Sequence, residues 1–179
     1  ITSYDTAGSC TNNTITYKLS KSHSPYSIQL FRFGTHYATS TAKNNTITFD
    51  SLPDGVYYAT VYGDGATGTA KGKSDTSVLV PPTPVNLTTT NITSQKANLN
   101  WDGYSCADYY KIQYRVKGAT KWSRKTTTDN TPSFALHGLT PATDYQWKVA
   151  AVFTENDTTI ISSFSVISKF TTAGAGFDI

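Results

Sequence analysis

Apolar and polar residues alternate one for one through Ala97-Asn-Leu-Asn-Trp101, Tyr110-Lys-Ile-Gln-Tyr114 and Tyr145-Gln-Trp-Lys-Val149. A strand sends successive side chains to opposite faces, so this period requires a sheet with one face buried and the other in water. In the carboxyl half it predicts strands at Ala97–Trp101, Tyr109–Arg115, Trp122–Thr126, Ser133–Leu136, Tyr145–Phe153 and Ser163–Thr171. Ala97, Leu99, Trp101, Tyr110, Ile112, Tyr114, Tyr145, Trp147, Val149 and Ala151 then face one core, and Asn98, Asn100, Lys111, Gln113, Arg115, Gln146 and Lys148 face solvent. In the amino half the same period predicts strands at Thr14–Leu19, Ser27–Phe33, Thr46–Phe49 and Val56–Tyr62. Their inward set is Ile15, Tyr17, Leu19, Ile28, Leu30, Ile47, Phe49, Tyr57, Ala59 and Val61, with Lys18, Gln29 and Thr60 outward. Residues 1–9 hold only Ile1 and Tyr4 as large apolar groups, so a first edge strand is expected to be short or lost.

Strands this short, separated by Gly, Pro, Asn and Ser clusters, predict an all-β fold of antiparallel sandwiches. Val80-Pro-Pro-Thr-Pro84 can join neither a helix nor a central strand, because proline lacks the amide donor and fixes φ. The domain boundary is placed there: a first module at 1–80, a linker at 81–84, a second module at 85–173, and the start of a further linker at 174–179. The 179 residues suit two domains of about 90 residues each. A chain that begins at Ile1 and ends in Ala-Gly-Ala-Gly-Phe-Asp-Ile179 is expected to be an excised fragment of a larger polypeptide.

Three motifs carry a resemblance in the second half: the strand ending at Trp101, Tyr110-Lys-Ile-Gln-Tyr114, and Leu139-Thr-Pro-Ala-Thr-Asp-Tyr145 leading into Gln146-Trp-Lys-Val-Ala-Ala. Residues 84–173 thereby resemble a fibronectin type III domain. The resemblance implies a tyrosine corner, with the Tyr145 hydroxyl bonded to nearby backbone, Leu139 closing the core and Pro141 setting the turn. Leu52-Pro-Asp-Gly-Val-Tyr57 repeats this logic one residue shorter, with Leu52, Gly55 and Tyr57 as counterparts and Asp54 as a turn residue. With Ser24-Pro-Tyr-Ser-Ile-Gln-Leu30, the first half is similar to immunoglobulin-like modules found in series on secreted and surface proteins of Bacteroidetes bacteria. The overall expectation is therefore two tandem sandwiches of the immunoglobulin-like and fibronectin type III kind.

Cys10 and Cys106 fall one in each module, which excludes the intersheet bridge inside a domain that antibody domains use. The topology implied by the resemblance puts both at module ends facing the linker, leaving two alternatives: free thiols, or an interdomain disulfide.

Residues for chemistry are sparse. His23, His36 and His137 lie far apart without a second His or a Cys at ligand spacing, and Gly-x-Ser-x-Gly is absent, so no catalysis, metal site or cofactor is expected. Gly63-Asp-Gly65 and Thr154-Glu-Asn-Asp157 offer too few carboxylates for calcium and read as hairpin turns. Neither contains Arg-Gly-Asp, through which some fibronectin type III domains bind integrins. The net charge is only +3, and the most basic run, Lys117 to Lys125, reads as a solvated strand edge. Nucleic acid is thus not an expected partner, and no apolar run reaches the length of a membrane span. Tyr62, Tyr104, Tyr109 and Trp122 lie outside the inward register and are candidates for stacking on sugar rings or on a protein partner. Sequons occur at Asn12, Asn44, Asn86, Asn91 and Asn156, where a chain this rich in Thr gives about three by chance, so they decide little. In a Bacteroidetes host, Asp5-Thr-Ala7, Asp50-Ser-Leu52 and Asp157-Thr-Thr159 also resemble that group's O-glycosylation tripeptide.

The function expected is a non-catalytic spacer or adhesion segment of a larger secreted or cell-surface bacterial protein, flanked by further domains of the same polypeptide. The alternative is a carbohydrate-binding accessory region of an extracellular polysaccharide-degrading enzyme or protease.

Overall fold

The computed structural model describes residues 3–7, 10–19, 25–63 and 75–176. Every regular element in them is a strand, and the chain divides into two compact units. The first is Ile1–Val80 with Glu155–Thr158, and the second is Pro81–Thr154 with Thr159–Ile179.

The first unit contains β1 (Ser3–Ala7), β2 (Asn13–Lys18), β3 (Tyr26–Arg32), β4 (Thr35–Ala42), β5 (Thr46–Leu52), β6 (Gly55–Gly63) and β7 (Asp75–Leu79). They form two antiparallel sheets, ordered β1-β2-β5 and β4-β3-β6-β7. All ten residues of the predicted inward set are buried, joined in the core by Tyr26, Leu52 and Leu79. Full burial of a side chain such as Ile28 or Leu30 contributes about 1.5–3 kcal/mol, which is why register is held so firmly by the alternation.

Three strands of this unit escape the periodic signal. β1 does form, with Ser3 to Ala7 opposite Lys18 to Thr14, because backbone pairing along an edge needs no apolar side chains. β4 is a largely polar edge strand, Thr-His-Tyr-Ala-Thr-Ser-Thr-Ala, in which Ala38 packs on the core and the Tyr37 ring meets buried Tyr57 edge-on at 5.9 Å. It is joined to β3 by Phe33 (φ +47°) and Gly34 (φ +82°), the two left-handed residues that a tight hairpin requires. β7 supplies a single core residue, Leu79, to the buried cluster.

The second unit contains, apart from Glu155 and Thr158, the strands β8 (Thr88–Thr90), β9 (Lys96–Asn100), β10 (Tyr109–Val116), β11 (Ser123–Thr126), β12 (Ser133–His137), β13 (Asp144–Glu155), β14 (Thr158–Ile161) and β15 (Ser168–Thr171). One sheet is ordered β8-β9-β12; the other runs β11-β10-β13-β14, with β15 also pairing with β13. The predicted inward residues are buried except Tyr114, which packs on the core partly exposed. Trp147 is fully buried and donates its indole N–H to Thr89 Oγ1 at 3.1 Å, so its one polar atom is satisfied by the otherwise polar strand β8.

Of the predicted last strand, Ser163–Thr171, only β15 (Ser168–Thr171) is a strand, residues 162–167 being irregular, and β14 lies ahead of the predicted span. Between β14 and β15 the chain stays beside β13, with Ser162 and Ser165 amides donating to the Ala151 and Val149 carbonyls. In return, the Ser162 and Ser165 hydroxyls accept the Ala151 and Val149 amides at 2.9 and 3.1 Å. Side-chain oxygens thus replace carbonyls in the ladder, and period-two reasoning cannot see that exchange.

Over seven strands the two units share one topology, the first, second and fifth making one sheet and the fourth joining the third in the other, and the second unit adds β15 beside β13. This differs from the antibody constant arrangement, where the fourth strand stays beside the fifth. All three tryptophans, Trp101, Trp122 and Trp147, lie in the second unit, so their fluorescence reports that unit alone. Leu99→Ala, which empties a fully buried site, is expected to cost about 2–5 kcal/mol and shift the fluorescence-detected urea midpoint. Ile28→Ala should shift the circular-dichroism transition while leaving the fluorescence midpoint in place.

Candidate functional site

The segment Leu139–Tyr145 shows how local chemistry makes a corner. Leu139 is buried in the core, Ala142 takes φ +47°, and Thr143 Oγ1 donates to the Pro141 carbonyl at 2.8 Å, closing the turn. Tyr145 then enters β13 with its ring stacked on Phe170, centroids 5.4 Å apart, and its hydroxyl accepts the Thr140 amide at 2.9 Å. In the first unit, Leu52 is buried and the fully buried Tyr57 donates its hydroxyl to the Pro53 carbonyl at 2.8 Å. One hydroxyl accepts and the other donates, so the two corners solve the same problem with opposite polarity. Gly55 is required by close approach: a Cβ there would lie 2.9 Å from Arg32 Nε and 3.2 Å from the Phe33 ring. Burial keeps the Tyr57 hydroxyl well above the usual phenol range, and so protonated as a donor.

Beside this corner lies a polar cluster that the sequence concealed. Asp54 is only 2% exposed, and its Oδ1 accepts the Asn13 side-chain amide at 3.0 Å. Asn13 also donates to the Leu52 carbonyl at 3.0 Å and to the Cys10 carbonyl. Arg32 Nη2 donates to the Asp54 carbonyl at 2.7 Å. Asp54 is therefore a buried member of a network joining β2, β3 and the turn, as well as the turn residue expected. Among the described residues its Oδ2 has no hydrogen-bond partner. Burial raises the carboxyl pKa, and the Asn13 bond and Arg32 charge only partly oppose it.

The four candidate aromatic residues do not make one platform. Tyr62, on β6, is half-buried with its hydroxyl donating to Gln29 Oε1 at 3.3 Å. Tyr104 is spent internally: its hydroxyl donates to the Thr83 carbonyl at 3.1 Å and its amide donates to the Tyr110 hydroxyl at 2.8 Å. Desolvation raises its pKa. Tyr109 is half-buried at the start of β10, opposite Val152. Trp122 immediately precedes β11 and is engaged by cations: Arg115 Cζ lies 4.2 Å and Lys148 Nζ 4.8 Å from its ring centroid. Lys148 Nζ is also 4.8 Å from the Phe164 ring. The outward register already named Arg115 and Lys148, but only the order of strands brings them and Phe164 to Trp122.

Cys10 is half-exposed with φ +58°, and Cys106 is half-exposed in the loop between β9 and β10; neither is a free thiol. His36 Nε2 shares a 2.9 Å hydrogen bond with Thr39 Oγ1, and its ring meets Phe31 edge-on at 5.6 Å. His137 is exposed at the end of β12. His23 and the Asp64-Gly65 part of the first loop lie outside the described residues. In the second loop, Asn156 (φ +48°) and Asp157 (φ +59°) form the left-handed pair of a tight β13–β14 hairpin.

Two sandwiches of one topology, each closed by a buried tyrosine at a corner, define a protein built from serial β-sandwich modules. Residues 80–164 match the family model for the fibronectin type III domain, and this segment is a domain of that family. It is similar to receptor-type tyrosine-protein phosphatase F of Bos taurus and of Danio rerio, each 32% identical over 75 residues. The alignment covers 41% of this chain and 4% of either phosphatase, so the chain spans a small part of the length of these relatives. Its fold is similar to a two fibronectin type III domain segment from chicken tenascin, with a TM-score of 0.69 and 13% identity, over 95% of this chain and 98% of that one. Fibronectin type III domains are typically structural or binding modules of larger proteins, many of them extracellular or at the cell surface. Among the described residues no helix is long and apolar enough to cross a membrane.

Two outcomes are expected. Tyr145→Phe removes the acceptor of the part-buried bond from the Thr140 amide and should destabilise the second unit by roughly 0.5–1.5 kcal/mol, read as a lower urea midpoint in tryptophan fluorescence. For Asp54, the folded pKa lies above the unfolded one, so the folded state keeps a proton that the unfolded state loses. First-unit stability should fall as pH rises from the ordinary carboxyl value of 3.8 through the raised folded value. In Asp54→Asn that part of the slope should vanish from circular-dichroism melts across this range.

Proposed function

We propose that this chain is a non-catalytic spacer or adhesion segment of a larger secreted or cell-surface protein. The observation that carries the reading is the repetition of one sandwich topology in two units, each with its own buried core. A module of this kind resists extension through its sheets, and its loops and outer faces are free to vary without disturbing the core. The similar proteins are vertebrate receptors, so the reading rests on module type and does not invoke a bacterial source.

The reading includes a disulfide between Cys10 and Cys106, supported by the presence of two cysteines in the chain and the absence of a free thiol. Closing so long a loop stabilises by about 4–5 kcal/mol in the chain-entropy model, and in a spacer it would limit bending at the Pro-rich linker. Single-molecule extension from the two termini tests both parts. Under oxidising conditions only residues outside Cys10–Cys106 should lengthen the chain; after reduction, the hidden length should appear and two separate rupture events should be seen. Equal lengths before and after reduction would remove the disulfide. One shared rupture, or unfolding at negligible force, would remove the mechanical role.

A further inference from the structure

We infer that the outer face of the β11-β10-β13 sheet, with β15 at its edge, is a docking surface for an acidic polysaccharide carrying sulfate or carboxylate groups. The inference adds to the spacer reading and does not depend on it. It rests on register. Residues directly opposite each other on antiparallel strands share a face, and Gln113 is opposite both Arg124 and Lys148. Lys111 is opposite Thr126 and Ala150, Arg115 is opposite Gln146, and Gln146 is in turn opposite Lys169. The intervening Ile112 and Trp147 are buried, which turns these residues to the outer face, where Arg124 and Lys169 are exposed, Lys111, Arg115 and Lys148 are half-buried, and the small Ala150 is covered. Three strands and an edge therefore gather Lys111, Arg115, Arg124, Lys148 and Lys169 on one face.

That gathering is disproportionate for a chain with 15 basic and 12 acidic residues. The carboxylate in the same register, Asp144, lies at the margin and is occupied by Lys117 Nζ at 3.1 Å and Thr171 Oγ1 at 2.7 Å. Strands about 4.8 Å apart, with side chains repeating about every 6.8 Å along each, spread the cations over a flat patch. The central cations are also held in place. Arg115 Nε donates to Gln146 Oε1 at 3.0 Å and Nη1 to the Ala119 carbonyl at 2.9 Å, while the Trp122 and Phe164 rings border Lys148. Side chains already ordered lose less entropy when a ligand arrives, and guanidinium N–H groups not used in those two bonds remain for an anion.

The polar residues between the cations select the occupant. Gln113, Gln146 and Thr126 can exchange hydrogen bonds with hydroxyl groups, so the face suits a flat ligand bearing both anions and hydroxyls. Single-stranded nucleic acid is recognised through aromatic rings open for base stacking, whereas Trp122 is engaged by Arg115 and Lys148. A protein partner would find a charged centre where protein interfaces are usually depleted of charge.

The test uses the whole 179-residue chain with dextran sulfate, polygalacturonate, neutral dextran and duplex DNA as probes, by calorimetry at 50 and 200 mM NaCl. Saturable binding of dextran sulfate or polygalacturonate is expected, with none to neutral dextran and weaker binding at the higher salt. The two polyanions distinguish sulfate from carboxylate recognition. The combined variant Lys111→Gln, Arg124→Gln, Lys169→Gln, checked to melt like the parent, should bind at least about tenfold more weakly, since each polyanion contact is lost with its released counterion. Lys96→Gln, on the opposite sheet, should bind as the parent does. Equal affinity of the triple variant and the parent, no saturable binding to either polyanion, or equal or tighter binding of duplex DNA would each overturn the proposal.

Discussion

Two facing sheets must fill the space between them with alternate side chains from each strand, and the rest of each unit follows from that constraint. A one-residue slip would send Tyr17, Ile28 or Trp147 into water and bring Lys18, Gln29 or Lys148 into the core. Such a cost leaves one register. Once it is held, the corners, hairpins and outer faces have defined positions. The buried tyrosines matter because each crossing between sheets must satisfy backbone groups that have left the ladder. Tyr145 meets an amide and Tyr57 meets a carbonyl, so the shared requirement is a buried hydroxyl at the crossing, with its donor or acceptor role set by the local turn.

The outer faces obey a different rule. Polar residues there contribute little to the fold, and their identity is correspondingly free to serve a surface role. On the second unit that freedom is taken up by cations braced against aromatic rings: Arg115 and Lys148 beside Trp122, and Lys148 again beside Phe164. The arrangement changes the meaning of Trp122. A tryptophan engaged by two cations orders charge, whereas a bare tryptophan offers its ring to a sugar. The same side chain can thus belong to a charged surface without being a stacking platform.

Modularity and surface chemistry fit together. A domain that closes its core with its own side chains can be repeated along a polypeptide, leaving each copy's outer face to diverge. The first unit illustrates the separation: its seven strands follow the same order as the first seven of the second, yet it has a buried Asn13–Asp54 pair beside its corner and a polar edge at β4. Burial of that carboxyl raises its pKa and so favours its protonated form in the first unit. The second unit's corner carries no comparable acid.

By itself the sequence determined which residues are inside. Ile15, Tyr17, Ile28, Leu30, Leu99, Ile112, Trp147 and Val149 declare their face through period two, and the turns around Leu52–Tyr57 and Leu139–Tyr145 declare the corners, because both signals are local and repeat along the chain. Strands whose stability comes from pairing, with little burial of their own, were not legible: β4 and β8 are polar edges, and between Ile161 and Ser168 serine hydroxyls stand in for carbonyls in the ladder. Only the tertiary structure decided that the fourth strand of each unit joins the third. It also decided that Asp54 is buried against Asn13, and that cations from β10, β11, β13 and β15 share one face. Those outcomes depend on which strands lie side by side. Neighbours in a sheet are brought together by cross-strand hydrogen bonds between residues far apart in the chain, and no local pattern records that choice.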